Sequence, residues 1–133
     1  MLTKSNKVFV SAELSGKSDS INHQNHIKAL NLLKREGSNF AVVKGVYKNV
    51  AESTFMLYAD SAKDHAENLS IALNLGALFN QESVLEVHND DTAVLHYVAG
   101  NSEKIGQFTE VNEAEALTHN CYTFSNGRYY VVR

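Results

Sequence analysis

Stretches of period-two and period-three-to-four hydrophobicity follow one another along the chain, separated by short polar turns. Val8 to Leu14 is β-branched and aromatic at its start and empties into Ser-Gly-Lys-Ser-Asp-Ser, the pattern of a strand leading into a loop. From Ser20 to Glu36 the residues Ile27, Ala29, Leu30, Leu32 and Leu33 recur at helical spacing, and Gly37 stands where a C-cap belongs. Phe40 to Val50 and Ser53 to Ala59 read as two strands, and so short a connection makes them an antiparallel hairpin. On the second strand Phe55, Leu57 and Ala59 share one parity, Thr54, Met56 and Tyr58 the other. Asp60 and Ser61 offer N-caps to a second helix whose stripe of Ala62, Ala66, Leu69, Leu73 and Gly76 runs to Phe79. Glycine in a helix interior costs about 1 kcal/mol against alanine, so Gly76 predicts a close approach to the sheet.

Beyond that helix, Ser83 to His88 and Thr92 to Val98 flank Asn-Asp-Asp, a hairpin signal. Ile105 to Val111 reads as a strand, Asn112 to Leu117 as a short Asn-capped helix, and Cys121 to Val132 as a hairpin around Asn126-Gly127. The order β-α-β-β-α-β with added strands predicts an α+β class. Its expected form is a ferredoxin-like antiparallel sheet with two main helices on one face and added C-terminal strands. Residues 1–133 make one domain in this reading, and such a sheet leaves a face that dimers or trimers commonly cover.

Composition narrows the function. The net charge is −3 and the 12 basic residues are scattered rather than clustered, which argues against nucleic acid or an anionic membrane as partner. A single cysteine, Cys121, excludes an intrachain disulfide and a thiolate zinc cluster and points to a reducing cytoplasm. The first residues lack the apolar core of a secretion signal, and no apolar run approaches the roughly 20 residues that span a bilayer, so a soluble cytoplasmic protein is expected.

Most catalytic chemistries lack their motif. His23 and His26 stand three apart on the first helix, yet no third ligand lies at a partner spacing, so neither metal nor cofactor is expected. His65, His88, His96 and His119 are scattered and read as surface or partly packed imidazoles. Cys121, beside Tyr122, reads as a buried structural thiol. The chain contains no Gly-x-Ser-x-Gly elbow and no glycine-rich phosphate cradle. What remains is Ser11 after the first strand, Tyr47 and Glu52 flanking the hairpin turn, and Gln81, Glu82 and Ser83 between the second helix and the next strand. Each alone is ordinary, and an acid at a strand mouth is usually a solvated charge. Together they would line one end of a sheet as a small-molecule site, with carboxylates and an aromatic ring suited to a cationic organic ligand.

The motifs Phe9-Val10-Ser11-Ala12, the Asn/His-rich Asn22 to His26, Gly45-x-Tyr47, Glu52-x-Thr54 and Gln81-Glu82-Ser83-Val84-Leu85 resemble the bacteriophage S-adenosylmethionine lyases. Gly106-x-Phe108-x-Glu110-Val111, Cys121-Tyr122-Thr123 and Gly127-Arg128 extend the likeness to the C-terminal third. The resemblance implies a fold like that of the PII signalling proteins, assembled as a homotrimer with active sites between subunits. It also implies cleavage of S-adenosylmethionine to 5′-methylthioadenosine and homoserine lactone, the substrate's own carboxylate displacing the thioether. In an infected bacterial host this would deplete the methyl donor and disable methylation-dependent defences. By resemblance Glu52 is the essential acid, Tyr47 the tyrosine of the Gly-x-Tyr motif, and Gln81-Glu82 the Gln-acid pair. Some members carry two consecutive Glu residues where this chain has Ala51-Glu52, and the turn before them is shorter here. That departure keeps open a second reading, a non-catalytic binder that sequesters an adenosine-containing metabolite or nucleotide signal.

Overall fold

The computed structural model describes residues 5–133. Strand β1 (Asn6–Ser11) ends three residues before the predicted limit because the Ser11 side chain takes over the backbone's bonds. Its hydroxyl donates to the Ser53 carbonyl (3.0 Å) and accepts from the Glu13 N–H (3.0 Å), a local turn that competes with strand pairing. Helix α1 (Asp19–Glu36) starts on the Ser18 side chain, which accepts from the Ile21 N–H. It ends at Gly37, whose left-handed φ of 73° lets its N–H reach the Leu33 and Lys34 carbonyls.

Strands β2 (Phe40–Tyr47) and β3 (Val50–Ala59) form the expected hairpin, but its turn is Lys48-Asn49, both at positive φ (50° and 67°). That is the geometry of a two-residue hairpin turn, and it starts β3 three residues earlier than predicted. Glu52 therefore lies inside the strand and not at its mouth. Helix α2 (Ala62–Leu78), capped by Ser61, is followed by β4 (Ser83–Val87), β5 (Thr92–Tyr97), β6 (Ser102–Val111) and the short α3 (Glu113–Ala116). Strands β7 (Tyr122–Ser125) and β8 (Arg128–Val132) turn at Asn126-Gly127, both at positive φ.

The first four strands lie in the order β4-β1-β3-β2, all antiparallel, which is the arrangement the β-α-β-β-α-β pattern predicts. The open ferredoxin-like sheet is nevertheless corrected. β7 pairs with β2, β8 with β6, and β5 links β6 to β4, so the sheet closes as an eight-stranded barrel, β1-β3-β2-β7-β8-β6-β5-β4. Closure gives partners to edges that an open sheet would expose. A bulge between Ala93 and Val94 opposite β6 helps the sheet curve. It lies by Gly106, whose φ of 139° and 2.9 Å clearance to the Arg133 carbonyl oxygen leave no place for a Cβ.

Closure also divides the core in two. Outside the barrel, Val8, Val10, Phe55 and Leu57 pack against Leu33 of α1 and Ala72 and Leu75 of α2, so both main helices cover one side of the sheet. Inside, Phe9, Met56, Val87, Phe108 and Tyr130 form a second cluster, with Phe108 and Tyr130 stacked at 5.1 Å. β1 is thus buried on both faces, its alternate residues serving different cores. At Gly76 a Cβ would lie 3.5 Å from Val84 Cγ1 of β4 and 3.1 Å from Val98 Cγ2 just past β5, the predicted close approach of α2 to the sheet. No described helix is long and apolar enough to cross a membrane.

Candidate functional site

The β2–β3 register sets the geometry of the barrel's open end. Glu52 pairs with Gly45 and Thr54 with Val43, so these four share the inward face. Gly45 is required there, since a Cβ would sit 2.6 Å from Thr54 Oγ1. The place its side chain would take is filled by the Thr54 hydroxyl. Tyr47, two residues along, has the same parity and lies at the rim, 45% exposed. The Gly-x-Tyr motif thus has a physical meaning: a glycine that lets Thr54 pack into the cavity wall and a ring at the entrance.

Ser11 pairs with Thr54 from the other side, and the turn from α2 to β4 brings Gln81, Glu82 and Ser83 across the opening. All six residues singled out from the sequence line one cavity of about 370 Å³, the size of a small-molecule site. The inner cluster, with Phe9, Leu85, Phe108 and Tyr130, supplies its apolar floor. Sequence reading missed the segment His119 to Thr123, which forms another wall. Only the pairing of β7 with β2, Gly45 opposite Thr123, brings it there, and the Asn120 carbonyl holds the Lys48-Asn49 turn through the Asn49 N–H at 2.9 Å. Cys121 in this wall is exposed, which corrects its reading as a buried thiol.

The site is acidic. Glu52 and Glu82 line it, and no Lys or Arg does so among the described residues. Burial, and then the negative charge of Glu13, push the Glu52 carboxyl up to about 7. Glu13 is itself fixed nearby, its Oε1 accepting from the Ser53 N–H (2.9 Å) and its backbone carbonyl from Gln81 Nε2 (2.9 Å). Near neutrality Glu52 is therefore divided between its two protonation states, and an organic cation entering the cavity draws it toward the carboxylate.

The histidines fall into two places. His23 and His26 border a second cavity, of about 380 Å³, which reaches Glu52 from the side of α1 through Ala51 and Ser53. His26 stacks on Phe55 at 4.6 Å, and among the described residues the pair gathers no third metal ligand. His65, His88 and His96, taken from the sequence as scattered, are not scattered. Their Nε2 atoms converge on the buried Glu86 carboxylate at 2.6, 3.3 and 2.7 Å. The i, i+2 pair Glu86-x-His88 was the signal available in the sequence, but its partners come from a helix and a neighbouring strand.

A comparison with curated proteins finds none that matches. The model of the S-Adenosylmethionine lyase family matches residues 8–133, which takes in every strand and helix from within β1 to the end of β8. By that match the chain belongs to the S-Adenosylmethionine lyase family.

Proposed function

We propose that the protein cleaves S-adenosylmethionine to 5′-methylthioadenosine and homoserine lactone. A carboxylate oxygen of the substrate attacks its own Cγ, the Cγ–S bond breaks, and the electron pair stays on sulfur as the neutral thioether. Neither water nor proton transfer is needed, so the protein has to supply position and environment. Holding the carboxylate and Cγ in line is worth several orders of magnitude in an intramolecular displacement. Opposite charges also vanish as the bond forms, and an apolar floor favours that change over water.

The observation that carries this reading is the cavity of two carboxylates, a rim tyrosine and no Lys or Arg among its described walls. Such a site suits an ammonium- and sulfonium-bearing ligand and offers no clamp for phosphate. We assign Glu52 to the substrate's cationic groups, Tyr47 to the adenosyl or sulfonium face, and Ser11, Gln81, Glu82 and Ser83 to polar contacts that fix orientation. Incubation of the purified protein with S-adenosylmethionine is expected to release methylthioadenosine, read by chromatography. Unchanged substrate at high protein concentration overturns the proposal.

In the setting we propose, the enzyme works as a phage counter-defence in the bacterial cytoplasm, as a homotrimer. Tyr47 and Val50, at the hairpin beside the cavity, are 45% and 43% exposed, an apolar surface suited to a second copy. Ala51 beside Glu52 favours the second reading, sequestration of an adenosine-containing ligand without turnover. Calorimetry showing tight binding with the ligand recovered intact would establish that reading in its place.

A further inference from the structure

On the outer face of the barrel, away from the cavity, β4 carries a cluster that the lyase reaction does not use. Alternation along β4 sends Ser83 and Leu85 inward to the cavity, while Val84 and Glu86 point to α2. His65 comes from the first half of α2, His88 directly follows β4, and His96 comes from β5. We propose that His65, Glu86, His88 and His96 form a binding site for a divalent first-row transition metal of the zinc type, clasping α2 to the β4–β5 hairpin.

The donor set is the first argument. Imidazole nitrogens and a carboxylate oxygen suit zinc and its neighbours. The donor atoms of His65, Glu86 and His88 lie within 4.8 Å of one another. His96 Nε2 lies 2.7 Å from Glu86 Oε1 but outside that 4.8 Å set, so it joins as a fourth ligand only when its ring turns toward the other two histidines. Ligands at about 2.0–2.1 Å from a tetrahedral zinc lie roughly 3.3 Å apart. The nitrogen–oxygen spacings of 2.6, 2.7 and 3.3 Å need to open by less than an ångström, and the other spacings in the His65, Glu86 and His88 set, which are within 4.8 Å, need to close toward the same value.

Access fits as well. His65 Nδ1 is buried with no hydrogen-bond partner, so no bond at that atom fixes the ring's tautomer. His65 and Glu86 are deep, with side chains 10% and 8% exposed, whereas His88 is 42% exposed and gives an ion its way in.

Titrating the full-length, metal-stripped protein with Co²⁺ tests this, since its visible absorption reports coordination. One Co²⁺ per chain with the intense bands of a four-coordinate site, displaced by Zn²⁺ and accompanied by a higher melting midpoint, is the expected result. His88→Gln and His96→Gln, both near the surface, are expected to weaken uptake by about tenfold or more. A His23→Gln/His26→Gln double variant and Glu52→Gln are expected to bind Co²⁺ as the parent does. No uptake, or uptake unaltered in His88→Gln and His96→Gln but lost with His23 and His26, overturns the proposal.

Discussion

Glu52 is the residue on which the account turns, and its environment makes a two-sided prediction. Its folded pKa of about 7 lies above the usual 4.5, so the folded barrel favours the neutral carboxyl. The stability that this contributes is fully present below pH 4.5 and is lost as pH rises through about 7. Glu52→Gln removes the buried charge while keeping the shape. Its melting midpoint should exceed the parent's by a few degrees at pH 8, with the difference closing by pH 5, as read by calorimetric scans. The same change should abolish turnover. A variant less stable than the parent at pH 8 would mean that the carboxylate has a structural partner instead. A second consequence is proton release. Titrations with S-adenosylmethionine near pH 7, in buffers of different ionisation enthalpy, should report loss of a fraction of a proton per site as the cation ionises Glu52. No buffer dependence would contradict placement of the cation beside this residue.

At the scale of elements, the β2–β3 hairpin carries the site. Its strands were legible from their β-branched and aromatic residues, but its turn was not. Lys48-Asn49 lacks the Gly that usually marks positive φ, so the sequence pattern placed the connection nearer Ala51, at the end of the first apolar run. A turn three residues earlier leaves Glu52 and Tyr47 on the inward parity and turns Ala51 to the other face, bordering the second cavity. Gly45→Ala tests this register. The new methyl would meet Thr54 Oγ1 at 2.6 Å in a buried wall, so a loss of about 1–3 kcal/mol in urea unfolding is expected, together with weaker ligand binding. Unchanged stability and affinity would mean that Thr54 does not pack beside Gly45 as this register places it. The caps at Ser61 and Asn112 were legible because each depends on a side chain one turn from the N–H it receives, whereas the Ser18 cap was not, because Ser18 sits in the polar stretch before Ser20 that reads as loop.

For the whole molecule, the helices and the first four strands could be read from periodicity, whereas barrel closure could not. Which edge the β7–β8 hairpin joins is a matter of long-range pairing between residues as far apart as Gly45 and Thr123, and local pattern does not encode it. Closure explains why an apolar floor lies under an acidic mouth, and why His119 to Thr123 became part of the site. Deleting residues 121–133 removes both strands and leaves the edges of β2 and β6 unpaired, so that form is expected to aggregate in gel filtration. A soluble, cooperatively unfolding product would show that the remaining strands suffice alone. Glu52, Tyr47, Ser11 and Gln81 to Ser83 gather in one cavity because the β-α-β-β-α-β order sets their elements' ends at the same rim. The most direct measurement is the rate of methylthioadenosine release from S-adenosylmethionine as a function of pH, for the parent and Glu52→Gln. Turnover by the parent that rises through about pH 7, with none from the variant, is the predicted result. No product from the parent at any pH, or equal rates from the two proteins, would contradict it.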